Sequence, residues 1–206
     1  MTNKVITISR QFGSGGKEIA EKLGKRLGIR TYDEDIADLA ARRSGIRKDY
    51  FEKVDEKPTD SFLYMLAMNT FTMNTSMNPF ENTLSSDKLF NKQAEVIQEI
   101  ADENDCIIIG RCAGYILRDE PKCVKVYISA DKDFRTKRIM ASDHLDEKEA
   151  QKKIHSMDKK RDSYFGYYAG QDWKACHTYD LAISTSALGI DKAVDLICQY
   201  IDIKFK

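Results

Sequence analysis

The sequence predicts a three-layer α/β domain, a mostly parallel sheet flanked by helices. Short continuous apolar runs, at residues 4–8, 106–110 and 124–129, read as strands buried on both faces. Segments with apolar residues at helical spacing alternate with them, as parallel strands joined by crossover helices require. A glycine-rich stretch, Gly13-Ser14-Gly15-Gly16-Lys17, separates the first strand from the first helix. In sheets of this kind ligands bind beyond the carboxyl ends of the strands.

The elements follow in order. The first strand, 4–8, is short and apolar and ends in turn residues. The helix behind the loop carries Ile19, Ala20, Leu23 and Leu27 on one face and stops at Gly28. Residues 29–32 form a second strand. Asp33 stands at its end, and Asp33 or Asp35 can cap the next helix, which carries Ile36, Leu39 and Ala40 and stops at Gly45. A short helical piece is expected at 48–54. Residues 57–87 differ in composition, being rich in Met, Asn and Thr and holding Pro58 and Pro79. Within them 61–71 has helical spacing and 74–86 reads as loop. The apolar residues Phe62, Leu63, Met65, Leu66, Phe71 and Met73 can pack either the core or a homodimer interface.

Residues 89–101 form an amphipathic helix, and the strand 106–110 has Arg111 at its C-terminal end. The strand 124–129 is followed by a helix through Met140 that bears Arg135, Lys137 and Arg138. A charged helix, 146–160, precedes a basic-aromatic segment, 161–170, with Arg161, Tyr164, Phe165, Tyr167 and Tyr168. A last strand, 181–185, and a closing helix, 190–201, complete the chain.

Composition excludes several function classes. Thirty-three basic and thirty-three acidic side chains cancel, which argues against nucleic acid or an anionic membrane as partner. Five cysteines, an odd number with no C-x-x-C pair, fit a reduced cytoplasmic protein better than a disulfide scaffold or a zinc site. No leader-like segment and no apolar run of membrane-spanning length is present. The three histidines are scattered, and no metal site is assigned to them.

The glycine-rich loop carries the chemistry. Glycines let backbone N–H groups converge on a phosphate, and the helix N-terminus behind them adds partial positive charge. The pattern G-x-x-x-x-G-K-[ST] fits in either of two registers. With Gly15 as the second glycine, Gly16 falls at the lysine place and Lys17 at the hydroxyl place. With Gly16 as that glycine, Lys17 is the lysine and Glu18 replaces the hydroxyl. Either way the first glycine is missing, with Arg10 or Gln11 in its place, and Arg10 or Lys17 can supply the charge. The expected nucleotide-binding set is Arg10, Gly13, Ser14, Gly15, Gly16, Lys17 and Glu18. The ordinary alternative is a plain turn between strand and helix. Arg111 can fork onto a phosphate, or be a solvated strand-end residue. Asp33 can hold a substrate hydroxyl or a magnesium-bound water, or be a helix cap. Arg135, Arg138 and Arg161 can close over a transferring phosphoryl group, or form a solvated face.

Taken together these segments resemble the cytidylate kinase-like family of P-loop nucleoside monophosphate kinases. The resemblance rests on residues 8–20, Tyr32-Asp33, Ile109-Gly110-Arg111, Ile128-Ser129-Ala130 with Arg135 and Arg138, Arg161-Asp162, Tyr179-Asp180-Leu181 and Thr185-Ser186. It implies a P-loop NTPase fold over 1–206, with a helical monophosphate-binding insertion at 33–87 and a lid-like segment at 142–170. It also implies ATP with Mg²⁺ as donor, Arg111 on the acceptor's phosphate, and Lys17, Arg135, Arg138 and Arg161 in catalysis. Cys112 stands where the family has an aspartate. Phe165 and Tyr168 stand where it places an aspartate that reads cytosine and a further arginine. The leading expectation is an ATP-dependent phosphotransferase acting on a nucleoside monophosphate. The alternative is a nucleotide- or phosphate-binding protein without turnover.

Overall fold

A computed structural model describes residues 4–45 and 79–206. The helical pieces expected at 48–54 and 61–71, the loop at 74–78 and the apolar residues offered for a dimer face lie outside the described residues.

Strand β1 (Val5–Arg10) is central. With β2 (Arg30–Tyr32), β3 (Cys106–Ile109), β4 (Cys123–Ser129) and β5 (Leu181–Ser184) it forms a parallel sheet ordered β2-β3-β1-β4-β5. Val5 is in register with Cys106 on one side and Cys123 on the other. In chain order the helices of the described residues are α1 (Gly16–Leu27), α2 (Asp35–Ser44), α3 (Pro79–Glu103), α4 (Ala113–Ile116), α5 (Lys132–Asp143), α6 (Glu147–Ala169), α7 (Thr185–Leu188) and α8 (Ile190–Lys204).

The strands are apolar throughout because both faces are covered. Successive side chains alternate between faces. Ile6, Ile8, Ile107 and Ile109 pack with Ile19 and Leu23 of α1 and with Ile197 and Ile201 of α8. Val5, Cys106 and Ile108 pack on the other face with Ile36 and Ala40 of α2 and Ile97 and Ile100 of α3. Each fully buried isoleucine contributes about 2 kcal/mol relative to exposure, so the three-layer order follows from the strand sequences.

Two expectations about elements are corrected. Residues 79–86 are not loop: they are the first turns of α3, a 25-residue helix. Pro79 is the first helical residue, where the missing N–H costs nothing. The basic-aromatic stretch 161–170 is not a separate segment: it continues the charged helix as the second half of α6. A capping box holds the start of α6, with Asp146 accepting from the Glu149 amide at 2.8 Å and Glu149 accepting from the Asp146 amide at 3.2 Å. Left-handed Gly170 ends it. Among the described residues no helix is long and apolar enough to cross a membrane.

Because every strand runs the same way, all five carboxyl ends share one edge. β1 delivers the glycine-rich loop there, β2 delivers Asp33, β3 delivers Arg111, and β4 leads into α5 with Arg135 and Arg138.

Candidate active site

The loop between β1 and α1 is held from below. The Ser14 hydroxyl donates to the Gln11 carbonyl at 2.8 Å, and the Thr185 hydroxyl donates to the Ser14 carbonyl at 2.7 Å. Gln11 in turn accepts from the Ala130 amide at 3.1 Å. Gly15 caps α1 in the left-handed region, with φ at 85°, a conformation that disfavours any side chain. Behind it the first-turn amides of α1, which have no acceptor within the helix, face the cleft mouth with the positive end of the helix dipole.

The loop is also held from above, by α6. Asp158 accepts from the Phe12 amide at 2.7 Å through one carboxylate oxygen and from Arg135 at 2.5 Å through the other. Arg135 also donates to the carbonyls of Ala130 and Phe12. Arg161 donates to the Arg10 carbonyl at 3.0 Å, and its guanidinium lies 5.7 Å from the Phe12 ring centre. The loop is thus clamped between the sheet edge and α6.

Beyond the loop opens a cleft of about 640 Å³. Arg10, Gly13, Gly15, Gly16, Lys17 and Glu18 line one side, Asp33 and Arg111 another, and Arg138 and Arg161 a third. Ten of the expected site residues therefore share one cavity. Asp33 lies between cations: its carboxylate is 3.3 Å from the Lys17 ammonium and 4.0 Å from the Arg10 guanidinium. That carboxylate raises the Lys17 ammonium above its ordinary value, which keeps it charged. The helix-cap reading of Asp33 is not what the structure shows, since α2 starts at Asp35 with Glu34 as its cap. Glu18 receives a hydrogen bond from Arg138 at 2.8 Å, which holds its carboxyl below the usual range.

Arg111 is not a solvated strand-end residue. It is 3% exposed and donates to the Asp33 carbonyl at 2.9 Å. A run of left-handed backbone, Gly110, Arg111 and Cys112 with φ of 70°, 54° and 55°, turns the chain there. Such conformations cost non-glycine residues of order 1–3 kcal/mol each and recur at functional sites.

Two expected site residues lie outside the cleft. Ser14 is fully buried beneath the loop, with its hydroxyl engaged by Gln11. Arg135 turns away from the cleft onto Asp158 and lines a neighbouring groove. Phe165 and Tyr168, the places compared with base recognition, are packing residues: Phe165 is buried beside Tyr127 and Trp173, and Tyr168 stacks on Phe90 with ring centres 3.8 Å apart. Sequence reasoning missed Asp158. Its partner Phe12 is 146 residues away, and an aspartate in a charged helix carries no local signal.

The family model described as the cytidylate kinase-like family matches residues 5–187. The chain belongs to the cytidylate kinase-like family. A relative named cytidylate kinase, from Methanopyrus kandleri, is 24% identical over 96% of this chain and 93% of its own. Another of that name, from Sulfolobus acidocaldarius, is 29% identical over 53% of this chain and 60% of its own. Among solved structures, an uncharacterized protein from Eubacterium ventriosum superposes with a TM-score of 0.73 at 29% identity, covering 97% of this chain and 99% of that one. A shikimate kinase from Bacteroides thetaiotaomicron, with a TM-score of 0.54, 11% identity and 97% and 98% coverage, shares the fold. Membership places the chain among P-loop kinase-like proteins.

Proposed function

We propose that the chain transfers the terminal phosphoryl group of ATP to a small phosphorylated acceptor, a nucleoside monophosphate. One observation carries this reading: a single cleft is lined by a glycine-rich loop at a helix N-terminus on one side and by buried Arg111 on another, with Arg138 and Arg161 beside both. The loop amides suit a donor's phosphates, and a buried arginine suits a second, separate phosphate. An acceptor phosphate oxygen attacks the terminal phosphorus, the bond to the bridging oxygen breaks, and ADP leaves with that electron pair. Protein groups need only align the partners and stabilise charge on the equatorial oxygens.

The residues of the loop do not suit a magnesium ion held by the protein. Lys17 or Glu18 stands where a hydroxyl ligand would be, Asp33 already faces two cations, and the described residues contain no group of three His, Cys, Asp or Glu that could hold a metal. Mg²⁺ is therefore read as part of the Mg–ATP substrate, coordinated by phosphate and water. The relatives named cytidylate kinase make CMP the first acceptor to test.

The test is ADP release from Mg–ATP with a panel of nucleoside monophosphates. Acceptor-dependent ADP supports the reading. A second reading, nucleotide binding without transfer, is favoured by the missing loop hydroxyl, and ATP binding with no turnover on any acceptor would support it.

A further inference from the structure

In the register its backbone sets, the loop departs from G-x-x-x-x-G-K-[ST] at three places, Arg10, Gly16 and Lys17, and one steric contact joins the first two. Gly15 adopts φ of 85° while Gly16 does not take positive φ and forms the first turn of α1. The position that demands glycine is therefore Gly15, so the motif runs from residue 10 to residue 17 with its spacing intact. Arg10 then occupies the first glycine place, and Gly16 occupies the lysine place. A Cβ added at Gly16 would come within 2.5 Å of Arg10 Cβ and 2.9 Å of Arg10 Cγ. No side chain fits at 16 while Arg10 stands at 10, and a lysine at 16 would require a glycine at 10. The arginine and the glycine have exchanged places across one contact.

Charge has moved with the exchange. The Arg10 guanidinium leaves the end of β1, crosses the start of α1 and lines the cleft, with its side chain only 11% exposed. Lys17 sits one residue past the lysine place. Its side chain is 61% exposed and its ammonium lies 3.3 Å from Asp33.

We infer that Arg10 is the residue that grips the donor's phosphates, replacing the motif lysine, and that Gly16 is glycine because the Arg10 side chain fills its space. This rests on the phosphotransfer reading of the same cleft. An arginine offers two parallel hydrogen bonds where a lysine offers a point charge, so the exchange alters how the phosphates are held without removing the cation.

The exchange can be reversed. Binding of Mg–ATP and of inorganic tripolyphosphate to the full chain is measured by calorimetry, with thermal melting recorded for each variant. Arg10→Met keeps the stem against Gly16 and removes the charge, and it is expected to weaken tripolyphosphate binding roughly 10- to 100-fold, as loss of a charge-assisted hydrogen bond does. Gly16→Lys alone is expected to lower the melting temperature by the steric conflict. The double variant Arg10→Gly with Gly16→Lys restores the first glycine and the motif lysine, with Lys17 still at the hydroxyl place, and is expected to bind tripolyphosphate at least about 10-fold better than Arg10→Gly alone, the non-additivity of residues in contact. Arg10→Met binding as tightly as the unaltered chain would overturn the inference and leave the phosphotransfer reading standing. An unaltered chain that binds neither ATP nor tripolyphosphate would remove both.

Discussion

Arg111 shows how one side chain can be committed by its surroundings. It is buried at the end of β3, on left-handed backbone, with Nε donating to the Asp33 carbonyl. Burying a guanidinium is costly unless it is paired, so a residue kept there serves the cleft rather than the core. Arg111→Ala is expected to raise the acceptor KM and lower kcat, together about 10- to 100-fold in kcat/KM. Initial rates at varied acceptor and fixed ATP would show this, and unchanged kinetics with CMP would remove Arg111 from the site. Arg111→Lys should not rescue, because a lysine lacks the planar fork. The sequence pointed to Arg111 through its position after an apolar strand. Its burial and its hold on Asp33 depend on a contact 78 residues away, which no local pattern encodes.

At the scale of elements, α6 and the glycine-rich loop behave as one unit. Asp158 joins the Phe12 amide to Arg135, and both side chains of that ion pair are nearly buried, at 14% and 11% exposure. Asp158→Ala leaves an arginine and a backbone amide without their carboxylate, an expected loss of about 2 kcal/mol. For a chain of this size that lowers the melting temperature by about 4–8 °C. The Phe12 amide should also lose its protection against hydrogen exchange. A melt unchanged within a degree would mean that the clamp contributes nothing. Elements were legible to unequal degrees. The strands were read correctly because continuous β-branched runs have few alternatives in a parallel sheet. The start of α3 was missed because Pro79 terminates most patterns yet opens this one. The join between the two halves of α6 was missed because its apolar face changes partner, from Ile139 of α5 and Phe12 of the loop to the cluster of Tyr127, Tyr164 and Trp173.

For the whole molecule, the sheet explains both stability and the location of the site. Burial pushes the Cys106 thiol up to about 12, the Cys123 thiol up to about 11 and the Tyr179 hydroxyl up to about 12. An unfolded thiol ionises near 8.5 and an unfolded tyrosine near 10. Between those values and the folded ones the unfolded chain binds fewer protons than the folded chain. Stability is therefore full below about pH 8.5 and falls as pH rises, by up to about 1.4 kcal/mol per pH unit for each group. Melting temperatures from pH 8 to 10.5 should decline, and Cys106→Ala or Cys123→Ala should flatten the first part of that decline. A flat profile in the unaltered chain would contradict the burial. The fold class was legible because continuous apolar runs alternate with helical periodicity, whereas the strand order β2-β3-β1-β4-β5 depends on pairings that no local pattern encodes. The cleft was legible in outline because parallel strands share an edge, while Ser14, Arg135 and Asp158 depended on which way side chains turn once the loop is packed. The central claim, phosphoryl transfer between two phosphates held in one cleft, is tested most directly by ³¹P NMR of Mg–ATP with CMP and other nucleoside monophosphates in the presence of the protein. The account predicts ADP and a nucleoside diphosphate appearing in equal amounts with at least one acceptor; ATP left intact with every acceptor, while calorimetry shows it bound, would contradict it.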